Sequence, residues 1–288
     1  MRSFPPSELV LNSNGAVYHL GLTPQDIAHK IILVGDQDRV AMVSSFFEHV
    51  EHRSQHREFV CHTGLYKGKR ISVLSSGIGT DNIDITLNEL DALVNINLKE
   101  RKEFSSLSSL EIIRIGTCGI LQPEIPVHAY VLSTHAFGLD NIAHFYAIPF
   151  TEDEEKLNEQ ICEHLSLPMG IHPYLCASDK QLNQKLIGPD LYQGITVTSS
   201  GFYGPQGRQL RIPNKVKDLN GLLSSFNSEG RKITNFEMES SALFSLGRTL
   251  GHSCATICLG VANRPNMVFS KGYENEMNGL IEYVLDRF

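Results

Sequence analysis

Compact apolar runs alternate along this chain with longer stretches in which apolar residues return every three or four positions. That alternation is the signature of strands interleaved with helices. Lys30 to Val34 is a β-rich run that stops at Gly35, and beyond it Val40, Val43, Phe46 and Phe47 recur at near-helical spacing, predicting a strand, a loop and a helix. Glu58 to Leu65 and Arg70 to Leu74 flank Lys67-Gly68-Lys69, the pattern of a hairpin whose second strand runs into the turn Gly77-Ile78-Gly79. Asn82 to Leu98 sets Ile83, Leu87, Leu90 and Val94 on one helical stripe, then passes through the serine-rich segment Ser105 to Ser109 into a buried-type strand, Ile112 to Ile115.

Ala129 to Ser133 and Tyr174 to Ala177 predict strands on either side of a polar helix around Glu152 to Leu165, and Ile195 to Ser199 predicts a further short strand. Glu237 to Leu250 predicts a helix with Ala242, Leu243, Leu246 and Leu250 on one face, followed by a strand from Cys254 to Val261 and a terminal helix ending at Phe288. The expected fold class is α/β, a single-domain mixed twisted β-sheet flanked by helices. One domain over residues 1–288 is expected, with 1–15 as an N-terminal extension. No internal repeat, low-complexity tract or linker interrupts it.

Composition narrows the possibilities. With 288 residues, 41% hydrophobic and 20% charged, the chain is globular in composition, which excludes a disordered or fibrous protein. The formal charge of -7 repels polyanions, so nucleic acid is not an expected partner. Met1 to Val10 holds Pro5, Pro6 and Glu8 without an apolar core, and the longest apolar-rich run, Cys254 to Ala262, is too short to span a bilayer. Neither export nor membrane insertion is expected. Six scattered cysteines without a C-x-x-C pair fit reduced thiols in the cytoplasm, and Cys254 and Cys258 fall in a strand that packs. His49, His52 and His56 recur at helix-like spacing but lack a cysteine pair or an H-E-x-x-H pattern, so no metal is expected. Gly77-Ile78-Gly79 lacks the third glycine of a dinucleotide fingerprint.

In open α/β sheets reactive groups gather in loops at the carboxyl ends of strands, and four such segments stand out. Gly35-Asp36-Gln37-Asp38-Arg39 offers a close backbone approach and a cation at a helix start, which suits phosphate. It is equally compatible with a plain turn capped by Asp38 with Arg39 solvated. Arg114-Ile115-Gly116-Thr117-Cys118-Gly119 sets a cation in an apolar strand, where it needs either an internal carboxylate or a bound anion. Gly204-Pro205-Gln206-Gly207-Arg208 is either an exposed loop or a reader of a base edge, because Gln presents a donor and an acceptor and Arg donors only. Glu237-Met238-Glu239-Ser240 is either surface decoration of a first helical turn or a carboxylate that grips a sugar diol.

Together with Tyr18-His19-Leu20-Gly21-Leu22, His56-Arg57-Glu58-Phe59, Ser76-Gly77-Ile78-Gly79 and Asn263-Arg264, these segments resemble the nucleoside phosphorylase superfamily, the purine and uridine phosphorylase family, and its uridine phosphorylases most closely. The match runs in order from about residue 18 to residue 264. The resemblance implies an α/β/α sandwich and cleavage of an N-glycosidic bond by inorganic phosphate as co-substrate, without an organic cofactor. It implies that Gly35, Arg39, Arg114 and Thr117 bind phosphate and that Arg57 completes the cradle from a neighbouring subunit. Met238 and Glu239 then hold ribose, with His19 reaching the 5'-hydroxyl from the neighbour. Gln206 and Arg208, with Phe202 and Arg264 beside them, meet the base. Arg208, Gln206 and Arg114 are the residues expected to act on the reacting atoms, Gln206 and Arg208 by donating to the carbonyl oxygens of departing uracil.

Purine-specific relatives carry an aspartate at about the position of Asn263-Arg264, which favours a pyrimidine here. Nucleosidases lack the full arginine set, which favours phosphorolysis over hydrolysis. A homodimer, or a hexamer of dimers with shared sites, follows from the roles of His19 and Arg57, and pyrimidine salvage is the expected setting. A purine or broad-range phosphorylase and a noncatalytic nucleoside-binding protein are the competing readings. The second draws on three departures from the family pattern: Cys118 after Thr117, Gly201 in place of an acidic residue, and glycine and proline reversed in Tyr203-Gly204-Pro205-Gln206. Asn82 stands where relatives can use a serine, alongside counterparts of Glu58 and Ile78, to hold a monovalent cation at a subunit contact, and the resemblance leaves that site open.

Overall fold

In the computed structural model, which describes residues 2–288, the central strand shows why a sheet covered on both sides forms. Along Lys30–Val34, Ile31 and Leu33 enter one apolar cluster and Ile32 and Val34 the opposite one, all four without exposure. Successive side chains of a strand point to opposite faces, so a run apolar at every position demands cover on both. The strands are β1 (Lys30–Val34), β2 (His49–His56), β3 (Phe59–Tyr66), β4 (Lys69–Ser75), β5 (Ile96–Asn97), β6 (Lys102–Glu103), β7 (Glu111–Ile120), β8 (Tyr130–Gly138), β9 (Tyr174–Ala177), β10 (Leu191–Thr198), β11 (Asn227–Ser228), β12 (Arg231–Glu237), β13 (Ser253–Asn263) and β14 (Val268–Phe269). The helices are α1 (Gln37–Ser44), α2 (Thr80–Asn95), α3 (Glu152–Leu165), α4 (Lys180–Leu186), α5 (Leu219–Ser225), α6 (Ser240–Thr249) and α7 (Glu274–Arg287).

Twelve strands make one mixed sheet in the order β11-β12-β10-β8-β13-β7-β1-β4-β3-β2, with β14 on β13 and β9 on β8. β1 runs parallel to β4 and β7, and β7 parallel to β13. The sheet also curls shut at one end: β12 pairs with β7 through Asn235 opposite Ile120 and Phe236 opposite Gly119. α2 and α6 cover one face, α1, α4 and α7 the other, and α3 and α5 pack on the curled end. Leu9 is buried and its carbonyl accepts from the Arg101 guanidinium, so part of the expected N-terminal extension packs on this body. Among the described residues no helix is long and apolar enough to cross a membrane.

The mixed α/β sheet agrees with the sequence expectation, and several local details differ. His49, His52 and His56 lie on β2, whose polar side chains alternate at the sheet edge with a bulge between Val50 and His52. Helix-like spacing of three histidines carried no helix because no apolar stripe accompanies it. α1 ends at Ser44, short of Phe46 and Phe47, and its N-cap is Asp36, which accepts from the Asp38 N–H, rather than Asp38. α6 starts at Ser240, and Glu237 instead closes β12, a strand the polar residues Thr234 and Asn235 had hidden although both are buried.

Candidate active site

The carboxyl ends of β1, β4, β7 and β12 meet where β12 closes on β7, and a cavity of about 850 Å³ opens there. Gly35, Arg39, Arg114, Thr117, Phe202, Gln206, Arg208, Met238 and Glu239 all line it. Nine of the predicted site residues, from four separate segments, are therefore brought together by the sheet.

Arg39 enters from the first turn of α1 and is 8% exposed. Among the described residues no hydrogen bond or ion pair engages its guanidinium. Burial, with Arg114 nearby, pulls its pKa below the ordinary value against the opposing pull of Asp36. A buried cation without a partner is costly unless something negative joins it. The reading of Arg39 as a solvated residue is thereby overturned.

Arg114 is held differently. Its Nη2 donates to Glu239 Oε2, its Nη1 lies 3.4 Å from Glu237 Oε2, and the same Nη1 reaches Cys258 Sγ at 3.7 Å. Burial opposes the charge, but Glu239 and Glu237 overcome it and raise the pKa above the ordinary value. The internal carboxylates anticipated as one alternative are both present, and Arg114 still faces the cavity. Gly116 makes the arrangement possible, since a β-carbon there would run into the Arg114 guanidinium.

Glu237 is saturated by the Thr198 hydroxyl at 2.6 Å and by the N–H groups of Glu239 and Ser240, each at 2.9 Å. It therefore fixes Arg114 and the turn into α6. Glu239 accepts from the Gly79 N–H at 2.8 Å at the start of α2 and from the Met238 N–H at 3.2 Å. The helix terminus favours its charge, yet burial pushes its pKa upward despite Arg114. Neither glutamate is surface decoration, since each is 3% exposed.

The opposite wall is the loop after β10. Phe202 to Pro205 are exposed, as a glycine- and proline-rich loop predicts, but Gln206 is turned inward at 3% exposure and Arg208 is half-buried. Arg208 Nη1 donates to Gln206 Oε1 and to the Phe202 carbonyl, both at 2.6 Å, and its guanidinium lies 3.6 Å from the centre of the Phe202 ring. Burial and the nearby Arg264 pull the Arg208 pKa down to about 10. With Oε1 engaged, Gln206 offers the cavity its Nε2 donors.

Three expected residues lie outside this chain's cavity. Arg264 donates to the Gln206 carbonyl at 3.1 Å, so it holds the loop from behind instead of meeting the base directly. His19 and Arg57 gather elsewhere: His19 Nδ1 is 2.7 Å from Glu89 Oε1, Arg57 lies 5.6 Å over the Tyr18 ring, and His56 Nδ1 is 2.7 Å from the His19 carbonyl. Sequence reasoning gave no role to Glu237, Glu58, Asn82 or Tyr273, all of which line the cavity. For Glu237 the one available signal was a second carboxylate two residues from Glu239. A lone tyrosine offers none.

The phosphorylase superfamily model matches residues 29–271. A uridine phosphorylase of Thermococcus kodakarensis is 28% identical over 282 residues, covering 96% of this chain and 88% of the relative. One of Treponema pallidum is 32% identical over 254 residues, covering 88% and 84%. Among solved structures, a nucleoside phosphorylase of Trypanosoma brucei described as showing uridine phosphorylase activity superposes with a TM-score of 0.89 at 27% identity, covering 97% of this chain and 99% of that one.

Proposed function

The chain belongs to the phosphorylase superfamily, and from that membership and the cavity's chemistry we infer that it cleaves uridine with inorganic phosphate to uracil and ribose 1-phosphate. The observation that carries this reading is Arg39, a buried guanidinium facing the cavity with no hydrogen-bond or ion-pair partner among the described residues. Phosphate is an acceptor for it and for Thr117, with the N-terminal turn of α1 alongside. Arg114 spans the gap between that anion and Glu239, which receives the ribose diol beside Met238. Phosphate so held is aimed at the anomeric carbon.

As the glycosidic bond lengthens, ribose gains oxocarbenium character and uracil leaves with negative charge on its carbonyl oxygens. The Nε2 donors of Gln206 and the guanidinium of Arg208 stabilise that charge. Where purine-specific relatives carry an aspartate, this chain has Asn263, whose amide donates to the carbonyls of Gln122 and Ile125 at 3.0 and 2.8 Å and whose oxygen accepts from the Asn266 N–H. That commitment supports a pyrimidine. The reaction calls for no organic cofactor.

We further place His19 and Arg57 in a neighbouring subunit's site, which makes the working unit a dimer or a hexamer of dimers. Six free thiols suit a reducing, cytoplasmic setting for pyrimidine salvage. The decisive test follows uracil release from uridine with and without phosphate. Release that ignores phosphate overturns phosphorolysis, a strong preference for inosine overturns the base assignment, and calorimetric binding of uridine without turnover points to a noncatalytic protein.

A further inference from the structure

We propose that Phe202 is a positioning residue that acts through Arg208, setting the guanidinium at the angle from which it meets the departing base. The proposal rests on the reading of Arg208 as the donor to leaving uracil. Phe202 is 48% exposed and lines the cavity, and one face of its ring is already covered by the Arg208 guanidinium, 3.6 Å from the ring centre. A base cannot stack on that face while the cation occupies it. The backbone closes the same unit, since the Phe202 carbonyl accepts from Arg208 Nη1 at 2.6 Å.

Half-buried with Arg264 nearby, the Arg208 guanidinium has lost part of its hydration and feels a like charge. It has no carboxylate partner within ion-pair distance among the described residues. Two acceptors and one aromatic face are what it has, and the quadrupole of the ring attracts the cation over its centre. Gln206 Oε1 fixes one edge of the guanidinium and Phe202 fixes its plane, so the remaining N–H groups are pre-aimed before substrate arrives. Pre-aimed donors are what stabilise charge that develops only as a bond breaks.

The test is a double-mutant cycle on kcat for uridine, with phosphate saturating. Phe202→Leu removes the aromatic face and is expected to lower kcat about 3- to 30-fold, while Phe202→Tyr restores it. In an Arg208→Ala background Phe202→Leu should change nothing further. With a 5-halogenated uridine, whose base leaves more readily as an anion, the Phe202→Leu defect should shrink. Additive losses in the cycle, or a rise in KM for uridine with kcat intact, would overturn the proposal by assigning Phe202 to the base itself. If the unsubstituted protein releases no uracil in the presence of phosphate, the functional reading fails first, and that failure is visible before any variant is made.

Discussion

The two walls of the cavity are built by different means. The wall proposed for anion and ribose comes from strand ends and helix starts: Arg114 inside β7, Glu237 closing β12, and Arg39 and Glu239 opening helices, all nearly without exposure. The base wall is a loop with one short 3-10 turn, Gly204–Gln206, whose neighbours Leu210 and Ile212 are 73% and 82% exposed. Arg114, Glu237 and Glu239 on the first wall are locked by one another and by buried hydroxyl and N–H groups, and Arg39 alone of the four is left open to the cavity. On the second, a guanidinium rests on an aromatic ring and a side-chain amide. On the proposed reading the anion and ribose are held by the buried wall, and the base is selected where residues can change without unfolding the sheet.

The contrast can be broken most forcefully at Arg114. Replacing it in Arg114→Ala leaves Glu237 and Glu239 buried near each other without their cation, and breaking a buried pair in this way costs about 3 to 5 kcal/mol. Both stability and activity should fall, the first read by urea denaturation and the second by uracil release. An Arg114→Ala protein of normal stability would show that the glutamates do not depend on it.

Arg208→Ala should behave in the opposite manner. Transition-state stabilisation is expected to drop by about 2 to 4 kcal/mol, while the urea midpoint stays near that of the unsubstituted protein because the residue is only half buried. Near-normal kinetics would remove Arg208 from the reaction. Equal losses of stability at Arg114 and Arg208 would erase the distinction between the walls.

Glu239→Gln sharpens the comparison within the rigid wall. Uridine handling should weaken by about 1 to 3 kcal/mol, as expected when a charged hydrogen-bond partner becomes neutral. Phosphate affinity should not weaken, because Arg114 is relieved of a competing carboxylate while Glu237 still holds it. A parallel rise in the KM for phosphate would contradict that division of labour.

The same division explains what could be read from the sequence. The hairpin of β3 and β4 was legible because Lys67 and Gly68, at φ of 48° and 72°, form a tight turn between two alternating runs. α3, expected as a polar helix around Glu152 to Leu165, spans Glu152–Leu165, and the structure adds the capping box of Thr151 and Glu154 that starts it. β2 and β12 were hidden, the first by polar residues at a sheet edge and the second by polar residues that find partners only inside the closed end of the sheet. At the site, each short motif could be recognised alone, but the pairing of Arg114 with Glu239 joins residues 125 apart in sequence. Only the fold brings them together, and no local spacing announces it. The stacking of Arg208 on Phe202 was equally invisible, since six residues of irregular loop fix no direction.

A second arginine–carboxylate contact, remote from the cavity, provides the smallest and cleanest comparison. Glu154 accepts from Arg248 Nη1 at 2.6 Å, from Arg248 Nη2 at 3.1 Å, and from the N–H groups of Ala177 and Thr151 at 2.7 and 2.8 Å. Burial opposes its charge, but Arg248 and those N–H groups prevail and lower its pKa below the ordinary carboxylate value. A carboxylate whose folded pKa is depressed binds protons more readily when unfolded, so its contribution is present above the unfolded value near 4.5 and is lost as pH falls through the folded value. Glu154→Gln should therefore lower stability by about 1 to 3 kcal/mol at neutral pH, with unchanged turnover. The gap between the two proteins should close as the buffer is taken below about pH 4. Thermal unfolding across that range decides the matter: a gap that persists in acid would mean Glu154 stabilises the fold through packing rather than charge. A loss of turnover at neutral pH would mean that the sheet transmits its strain to Arg114, and that the rigid wall extends well beyond the cavity it lines.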